Sequence, residues 1–300
     1  MADATVAAPP NPIQRTWDGT PPALSSEDLA RYLAFIGVDA PAEPTLSALA
    51  EIQLAHLHAI PFENLSALLD EPVSLDHHAL LAKMLSGTRG GYCFEHNMLL
   101  GGALAALGYE VQLLAARAMV GLEPGEVRPR THLALLVTAV DAPPRLVDAG
   151  FGRATLNGPL IPEAGLEQQL GVDRYRLVDH DGEWAMETAR SVDGPWTTLY
   201  LVDPRPVYPV DVEAANHFVA THDLSHMRRT LVVLRATAEG KRTLLLRATT
   251  DGQRKLVPGE FVVDEVGRQG RREVEPRELA AVLRDEFGIV PPAALDGPLG

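Results

Sequence analysis

The sequence predicts an α/β protein of several modules: a helical N-terminal domain, a central antiparallel β domain and a smaller C-terminal α/β domain. Three observations predict it. Apolar residues recur at helical spacing through the first third of the chain. From Tyr109 onward, short β-branched and aliphatic runs alternate with turns that carry Gly or Pro. The 300 residues also exceed what one compact core usually holds.

Residues 1–22, rich in Ala and Pro, read as a poorly ordered tail. The helical domain is expected over 23–108. Its first helix lies in LSSEDLARYLAFIG: Ser25 and Ser26 offer caps, Leu29, Tyr32, Leu33 and Ile36 form a stripe, and Gly37 ends it. A second runs from Thr45 to Ala59 and stops before Pro61. A third is expected from Ser74 to Gly87, and a fourth opens at Cys93 and continues through MLLGGALAAL to Gly108. The β domain, 109–212, contains YEVQLLAARAMV (109–120), HLALLVTAV (132–140) and RLVDAG (145–150). YRLVD (175–179), EWAMET (183–188) and TTLYLVD (197–203) follow, so an antiparallel sheet or small barrel is expected. The last domain, 213–300, holds TLVVLRA (230–236), RTLLLRATT (242–250) and GEFVVDE (259–265). Glu239-Gly240 marks a hairpin between the first two, and a closing helix lies in PRELAAVLRDEFG. There is no internal repeat.

With 26 basic and 40 acidic residues the net charge is −14, which repels nucleic acid and anionic membranes. An anionic small ligand needs a local basic patch. The single cysteine excludes an intramolecular disulfide. The first residues lack the basic and apolar regions of a signal peptide, and no window spans a bilayer, so a cytoplasmic enzyme or binding protein is expected.

That cysteine, Cys93, sits in RGGYCFEHN (89–97). A lone cysteine is more often an inert core residue than a nucleophile. Here a helix start at Cys93 would turn its positive dipole end to the sulfur. Gly90 and Gly91 would allow a backbone path closed to other residues, presenting Cys93 at an exposed helix start. A thiol nucleophile needs a base, and His132, at the head of a strand in PRTHLALLV, is the candidate. The base needs an orienting acid. Asp148, within an apolar strand in RLVDAGFG, must be paired if buried. Cys, His and Asp would then form a thiol triad. If His132 and Asp148 face each other on one hairpin, its midpoint is Val140, whereas the obvious turn is Asp141-Ala142-Pro143-Pro144. A longer loop or a bulge must absorb the offset. Separately, His222 and His226, at i and i+4, resemble a zinc-hydrolase HExxH motif with Asp for Glu, but no third metal ligand is evident.

AIPFENL (59–65), RGGYCFEHN, THLALLV (131–137) and LVDAGFG (146–152), with weaker TLY (198–200) and ATHDLSHM (220–227), together resemble the arylamine N-acetyltransferases. The resemblance covers about residues 28 to 290. It implies a helical domain, a β-barrel and an α/β lid, with Cys93, His132 and Asp148 as a cysteine-protease-like triad. It also implies ping-pong chemistry: the Cys93 thiolate takes an acetyl group from acetyl-CoA and passes it to an aromatic amine or hydrazine, without a metal. The Cys93 N–H would support the oxyanion. Phe62 and Phe218 are candidates for the acceptor wall, with core packing the plainer role for each. Thr221, His222 and Ser225 are candidates for acyl-donor contacts. The chain departs from the family at Phe35, where an arginine is usual. It departs again at Ala220-Thr221-His222-Asp223, where the family reads Ser-Thr-His-Pro, and Asp223 brings negative charge toward the donor cleft. That segment is compatible with a related amide synthase that takes its acyl chain from a carrier protein. Arg228 and Arg229, and Arg128 and Arg130 before His132, are the nearest basic residues. A silent binding protein on the same scaffold is the third alternative.

Overall fold

A computed structural model describes residues 19–122, 126–190, 194–249 and 255–296. Of the expected tail, residues 1–18 lie outside them, as do Thr250 at the end of one expected strand and residues 297–300. The tail ends earlier than the composition suggested. Gly19 and Pro21 are already buried, and the Gly19 carbonyl accepts the Leu113 N–H at 2.9 Å.

The N-terminal part carries α1 (Ser26–Ile36), α2 (Leu46–Ala59), β1 (Phe62–Glu63), α3 (Leu65–Leu68), α4 (His77–Met84) and α5 (Cys93–Ala106). Ser25 caps α1, whose Tyr32, Leu33 and Ile36 are buried, and Gly37 ends it in the left-handed region at φ 75°. Thr45 caps α2 through its hydroxyl. α4 is shorter than the sequence suggested because Asp76 supplies its cap, accepting from His78 N and Ala79 N at 3.0 and 3.2 Å. The single turn α3 was not foreseen.

Two antiparallel sheets follow. One has seven strands: β2 (Glu110–Ala118), β3 (His132–Ala139), β4 (Ala142–Val147), β5 (Gln168–Leu170), β6 (Asp173–His180), β7 (Glu183–Ala189) and β8 (Thr197–Pro206), in the order β4-β3-β2-β8-β7-β6-β5. The chain after β4 ties its two ends together. Leu160 bridges Leu146 on β4, and Ala164 bridges Leu177 on β6, so the sheet curls round a core that includes Leu146, Leu160, Leu177 and Met186. The turn between β3 and β4 is Val140-Asp141, not the four residues from Asp141. Pro143 and Pro144 lie inside β4, which an edge strand tolerates because the missing N–H can face away from the ladder.

After β8 come α6 (Pro209–Thr221) and α7 (His226–Arg229). The second sheet holds β9 (Thr230–Thr237), β10 (Gly240–Arg247), β11 (Gly259–Glu265) and β12 (Arg268–Val274), and α8 (Leu279–Phe287) packs on it. Helix α6, unforeseen, straddles the expected boundary between 212 and 213. Strand β12 was also missed, since an edge strand exposed at six of its seven positions carries no apolar alternation. The far edge of this sheet is β1, with Phe62 opposite Leu234 and Glu63 opposite Val233. The N-terminal part therefore supplies a strand to the C-terminal sheet. Among the described residues no helix is long and apolar enough to cross a membrane.

A chain of fully buried polar groups runs through the helical part. His96 Nε2 lies 3.3 Å from the Pro61 carbonyl, His96 Nδ1 2.8 Å from His56 Nε2, and His56 Nδ1 2.9 Å from the Tyr32 hydroxyl. The carbonyl can only accept, so His96 carries its proton on Nε2, His56 donates from Nε2, and Tyr32 donates to His56. Both histidines are neutral. Burial holds His96 down at about 4, and burial, then the repulsion two protonated rings would exert on each other, holds His56 well below its ordinary value. The unfolded chain therefore takes up these protons first as pH falls. The stability from a neutral His96 is complete above about pH 6.5 and is lost between there and about pH 4, to the extent of about 3 kcal/mol. We expect the urea midpoint to fall through that window. His96→Gln, which keeps a donor and an acceptor but cannot protonate, should make the fall shallower.

Candidate active site

Cys93 is the first residue of α5, and the turn before it is held by buried acids. The Tyr92 N–H reaches Glu95 Oε2 at 3.1 Å, and Lys83 holds the other Glu95 oxygen at 2.8 Å. Glu63 accepts from Arg89 Nε at 2.8 Å, from Gly90 N at 3.3 Å and from Leu65 N at 2.7 Å. Burial opposes charge on Glu63, but Lys83, Arg89 and these hydrogen bonds keep its carboxyl below the usual range. The two glycines act by close approach and not by unusual φ: a Cβ at Gly90 would stand 1.8 Å from the Pro61 oxygen, and one at Gly91 2.8 Å from Glu95 Cβ. The thiol is not exposed as expected. Cys93 is 4% accessible, and its Sγ lies 3.8 Å from the Thr131 carbonyl oxygen.

His132 and Asp148 meet beside it. His132 Nε2 is 2.8 Å from Asp148 Oδ2, with the residues 3% and 0% accessible. Nε2 is thus taken, and the Cys93 thiol is near enough to the ring to help raise its basicity. The two are not cross-strand partners. β3 and β4 pair Leu135 with Val147 and Leu136 with Leu146, a hairpin centred on residue 141, with the register shift beyond Val137 near the turn. Extending that register places Asp148 opposite Ala134, two residues along the same face from His132, so the contact is diagonal. The offset seen in the sequence is absorbed in this way.

Burial alone would lower the basicity of the His132 ring. The Asp148 charge and hydrogen bond, with the Cys93 thiol, outweigh it and raise the ring to about 10. Burial would likewise raise Asp148, but His132, Asn97 Nδ2 at 3.0 Å and Gly150 N at 2.8 Å hold it low. Phe151 and Tyr200 pack on the imidazole, each with ring centroids 4.9 Å away. This is a thiol, an imidazole oriented through one nitrogen, and a dry carboxylate, an arrangement suited to covalent acyl transfer.

The thiol and the imidazole open on a cavity of about 1850 Å³ that Phe62, Phe151 and Phe218 also line. Phe62 stacks on His96 with centroids 6.1 Å apart. The three expected donor contacts are less clear. Ser225 lines the cavity, yet its hydroxyl donates to Val219 O at 2.6 Å. Thr221 and His222 are not among the lining residues; the Thr221 hydroxyl donates to His217 O at 2.7 Å, and His222 stacks on Phe218 and accepts from Leu224 N. The HExxH geometry fails, because α6 ends at Thr221 and His226 begins α7, so the two histidines share no helix. Among the described residues no group of three or more His, Cys, Asp or Glu could hold a metal ion.

Sequence reasoning missed Asn97, Asn64 and the role of Gly150. Asn97 donates to Leu133 O at 2.7 Å and to Asp148, and accepts from Ala149 N at 2.9 Å. Its signal was available, since it lies four residues after Cys93 on the same helix face. Asn64 donates to Met227 O and Thr230 O at 2.6 and 2.7 Å and accepts from Val232 N at 2.7 Å, fixing the departing segment from below.

The profile of a family described as N-acetyltransferase matches residues 45–294. An arylamine N-acetyltransferase of Mycolicibacterium smegmatis is 40% identical over 220 residues, 72% of this chain and 79% of the relative. That of Escherichia coli is 29% identical over 263 residues, 87% and 88% of the two chains. Among solved structures, the M. smegmatis arylamine N-acetyltransferase superposes with a TM-score of 0.77 at 34% identity, covering 89% of this chain and 93% of its own. The Mycobacterium marinum arylamine N-acetyltransferase in complex with CoA gives 0.77 at 34%, covering 87% and 92%.

A cation beside a sulfur favours its thiolate, and the His132 ring keeps its proton up to about pH 10. Iodoacetamide should therefore alkylate Cys93 at neutral pH roughly tenfold faster in wild type than in Asp148→Asn. Equal rates in the two proteins would exclude the ion pair.

Proposed function

We propose that this chain, which belongs to the arylamine N-acetyltransferase family, moves an acetyl group from acetyl-CoA to an aromatic amine or hydrazine through a thioester on Cys93. The observation that carries the reading is the Asp148–His132 contact of 2.8 Å beside a thiol that lines the same large cavity as His132. The CoA bound in the M. marinum relative supports the choice of donor.

In the first half-reaction the Cys93 sulfur attacks the thioester carbonyl carbon, and a C–S bond forms. Collapse of the tetrahedral intermediate breaks the bond to the CoA sulfur, which leaves with the proton that His132 carries. The N–H of Cys93, at the start of α5 with no helical acceptor, is placed to donate to the oxyanion. In the second half-reaction the amine nitrogen attacks the Cys93 thioester and passes its proton to His132, and the Cys93 sulfur is expelled to re-form the starting pair. Asp148 holds the ring in one orientation and stabilises the imidazolium throughout. Phe62 and Phe218 give an aromatic acceptor flat apolar faces within the same cavity.

Incubation with acetyl-CoA and no acceptor should add the mass of one acetyl group, located on Cys93, in intact-protein mass spectrometry. Cys93→Ser, nearly the same size, should fold normally and lose transfer by more than about a thousandfold. Acetylation retained in that variant would rule out the covalent route.

A further inference from the structure

The cavity that reaches Cys93 is basic in an acidic protein. Among its described lining residues are seven arginine or lysine side chains against four carboxylates, while the whole chain carries −14. Most of those cations are already paired: Lys241 with Asp173 at 3.0 Å, Arg271 with Glu260 at 2.9 Å, and Arg128 with Glu126 at 3.2 Å. Two are not. Arg229, at the end of α7, and Arg247, at the end of β10, have no ionic partner among the described residues.

These two arginines are neighbours. Ala248 N–H donates to the Arg229 carbonyl at 2.8 Å, and Arg247 stands opposite Thr230 in the ladder. Both side chains are exposed and border the cavity. The positive field there extends to His226, whose ring is held below its ordinary value first by burial and then by the charges of Arg128 and Arg247. The acid that the sequence placed against a donor, Asp223, is not among the lining residues of the cavity and is held by a cation. Arg228 bonds it at 2.5 Å and also bonds Asp70. What remains is an unopposed pair of planar, multiply donating cations on the wall of the cavity that holds the thiol, the arrangement that suits phosphate oxygens.

We propose that Arg229 and Arg247 form the phosphate subsite for the acyl donor, holding a phosphate ester or anhydride while the acyl end reaches Cys93. The inference rests on the reading that Cys93 accepts the acyl group. A phosphate in this position has two sources: the phosphates of free CoA, or the single phosphodiester of a phosphopantetheine arm on a carrier protein.

The test compares wild type with the Arg229→Ala/Arg247→Ala double variant on three donors. These are acetyl-CoA, acetyl-phosphopantetheine with its one phosphate, and p-nitrophenyl acetate with none. The expected result is a KM for acetyl-CoA raised about tenfold or more, a kcat changed less than about twofold, and kcat/KM for p-nitrophenyl acetate the same in both proteins. The acetyl-CoA kcat/KM should also lose much of its salt dependence. An acetyl-phosphopantetheine KM that rises as far as that of acetyl-CoA assigns the subsite to the pantetheine-linked phosphate; a smaller rise assigns it to the remaining phosphates of CoA. An unchanged acetyl-CoA KM overturns the proposal, and so does an equal loss on p-nitrophenyl acetate, which would mark a structural role. Wild type acylated by p-nitrophenyl acetate but not by acetyl-CoA sinks the subsite and leaves Cys93 as the nucleophile. Acylation of Cys93 by neither donor sinks the reading beneath it as well.

Discussion

The backbone of Gly150 rests against the backbone of Cys93, and the site depends on that contact. A Cβ at position 150 would stand 2.5 Å from Cys93 Cα and 2.9 Å from its carbonyl oxygen, distances no side chain can occupy. The strand exit that carries Asp148 and the helix start that carries Cys93 therefore approach more closely than any other residue would permit. Asn97 locks them at that separation. Its one amide holds the Leu133 carbonyl next to His132, the Asp148 carboxylate and the Ala149 N–H. Each of those bonds is buried, and losing a buried partner of a charged group costs on the order of 1.5–3 kcal/mol. The relative placement of thiol, imidazole and acid is thus a backbone property before it is a side-chain one.

A second tie joins the helical part to the C-terminal sheet through three consecutive residues. Phe62 faces the cavity, Glu63 holds the loop before Cys93, and Asn64 holds the carbonyls of Met227 and Thr230. Phe62 and Glu63 also form the edge strand of the C-terminal sheet. From the other side, Tyr92, the residue before Cys93, donates to Asn216 of α6. The loop before Cys93 is consequently clamped between its own helical neighbours and the segment at 220–230. The segment that departs from the family pattern is anchored to the same residues that set the thiol, while Ala220 and Asp223 themselves stand outside the cavity lining.

Much of this was legible in the sequence, for identifiable reasons. The capped helices α1 and α2 and the strands with clear apolar runs were readable because local chemistry and burial agree there: Ser25 caps a stripe that is buried, and β9 is a short apolar run whose first five residues are all buried. Cys93, His132 and Asp148 were readable as residue types. Their geometry was not, since it depends on a register shift near the hairpin turn and on a diagonal contact that neither strand encodes alone. The charged edge strand β12 and the helix α6, with its β-branched valines, escaped because their stability comes from tertiary pairing and not from local pattern. The glycines at 90 and 91 suggested unusual dihedral angles. The structure uses them instead for proximity, which a sequence cannot distinguish from conformational freedom.

Burial of the three residues then has an electrostatic consequence. An imidazolium and a carboxylate with almost no solvent access are costly unless each lone pair and proton is matched. Asp148 accepts from His132, Asn97 and the Gly150 N–H, so its charge is met by three donors. On the other side, the ring of His132 is closed in by Phe151 and Tyr200, which exclude water without offering a competing hydrogen bond to the ring. The Cys93 thiol is near enough to the ring to add to its basicity. A carboxylate so well satisfied, facing a ring closed off from solvent, stabilises the proton on the imidazole, and it acts on the sulfur only through that charged ring. The same enclosure that makes Cys93 look like an inert core residue by accessibility is what couples it to the acid two steps away.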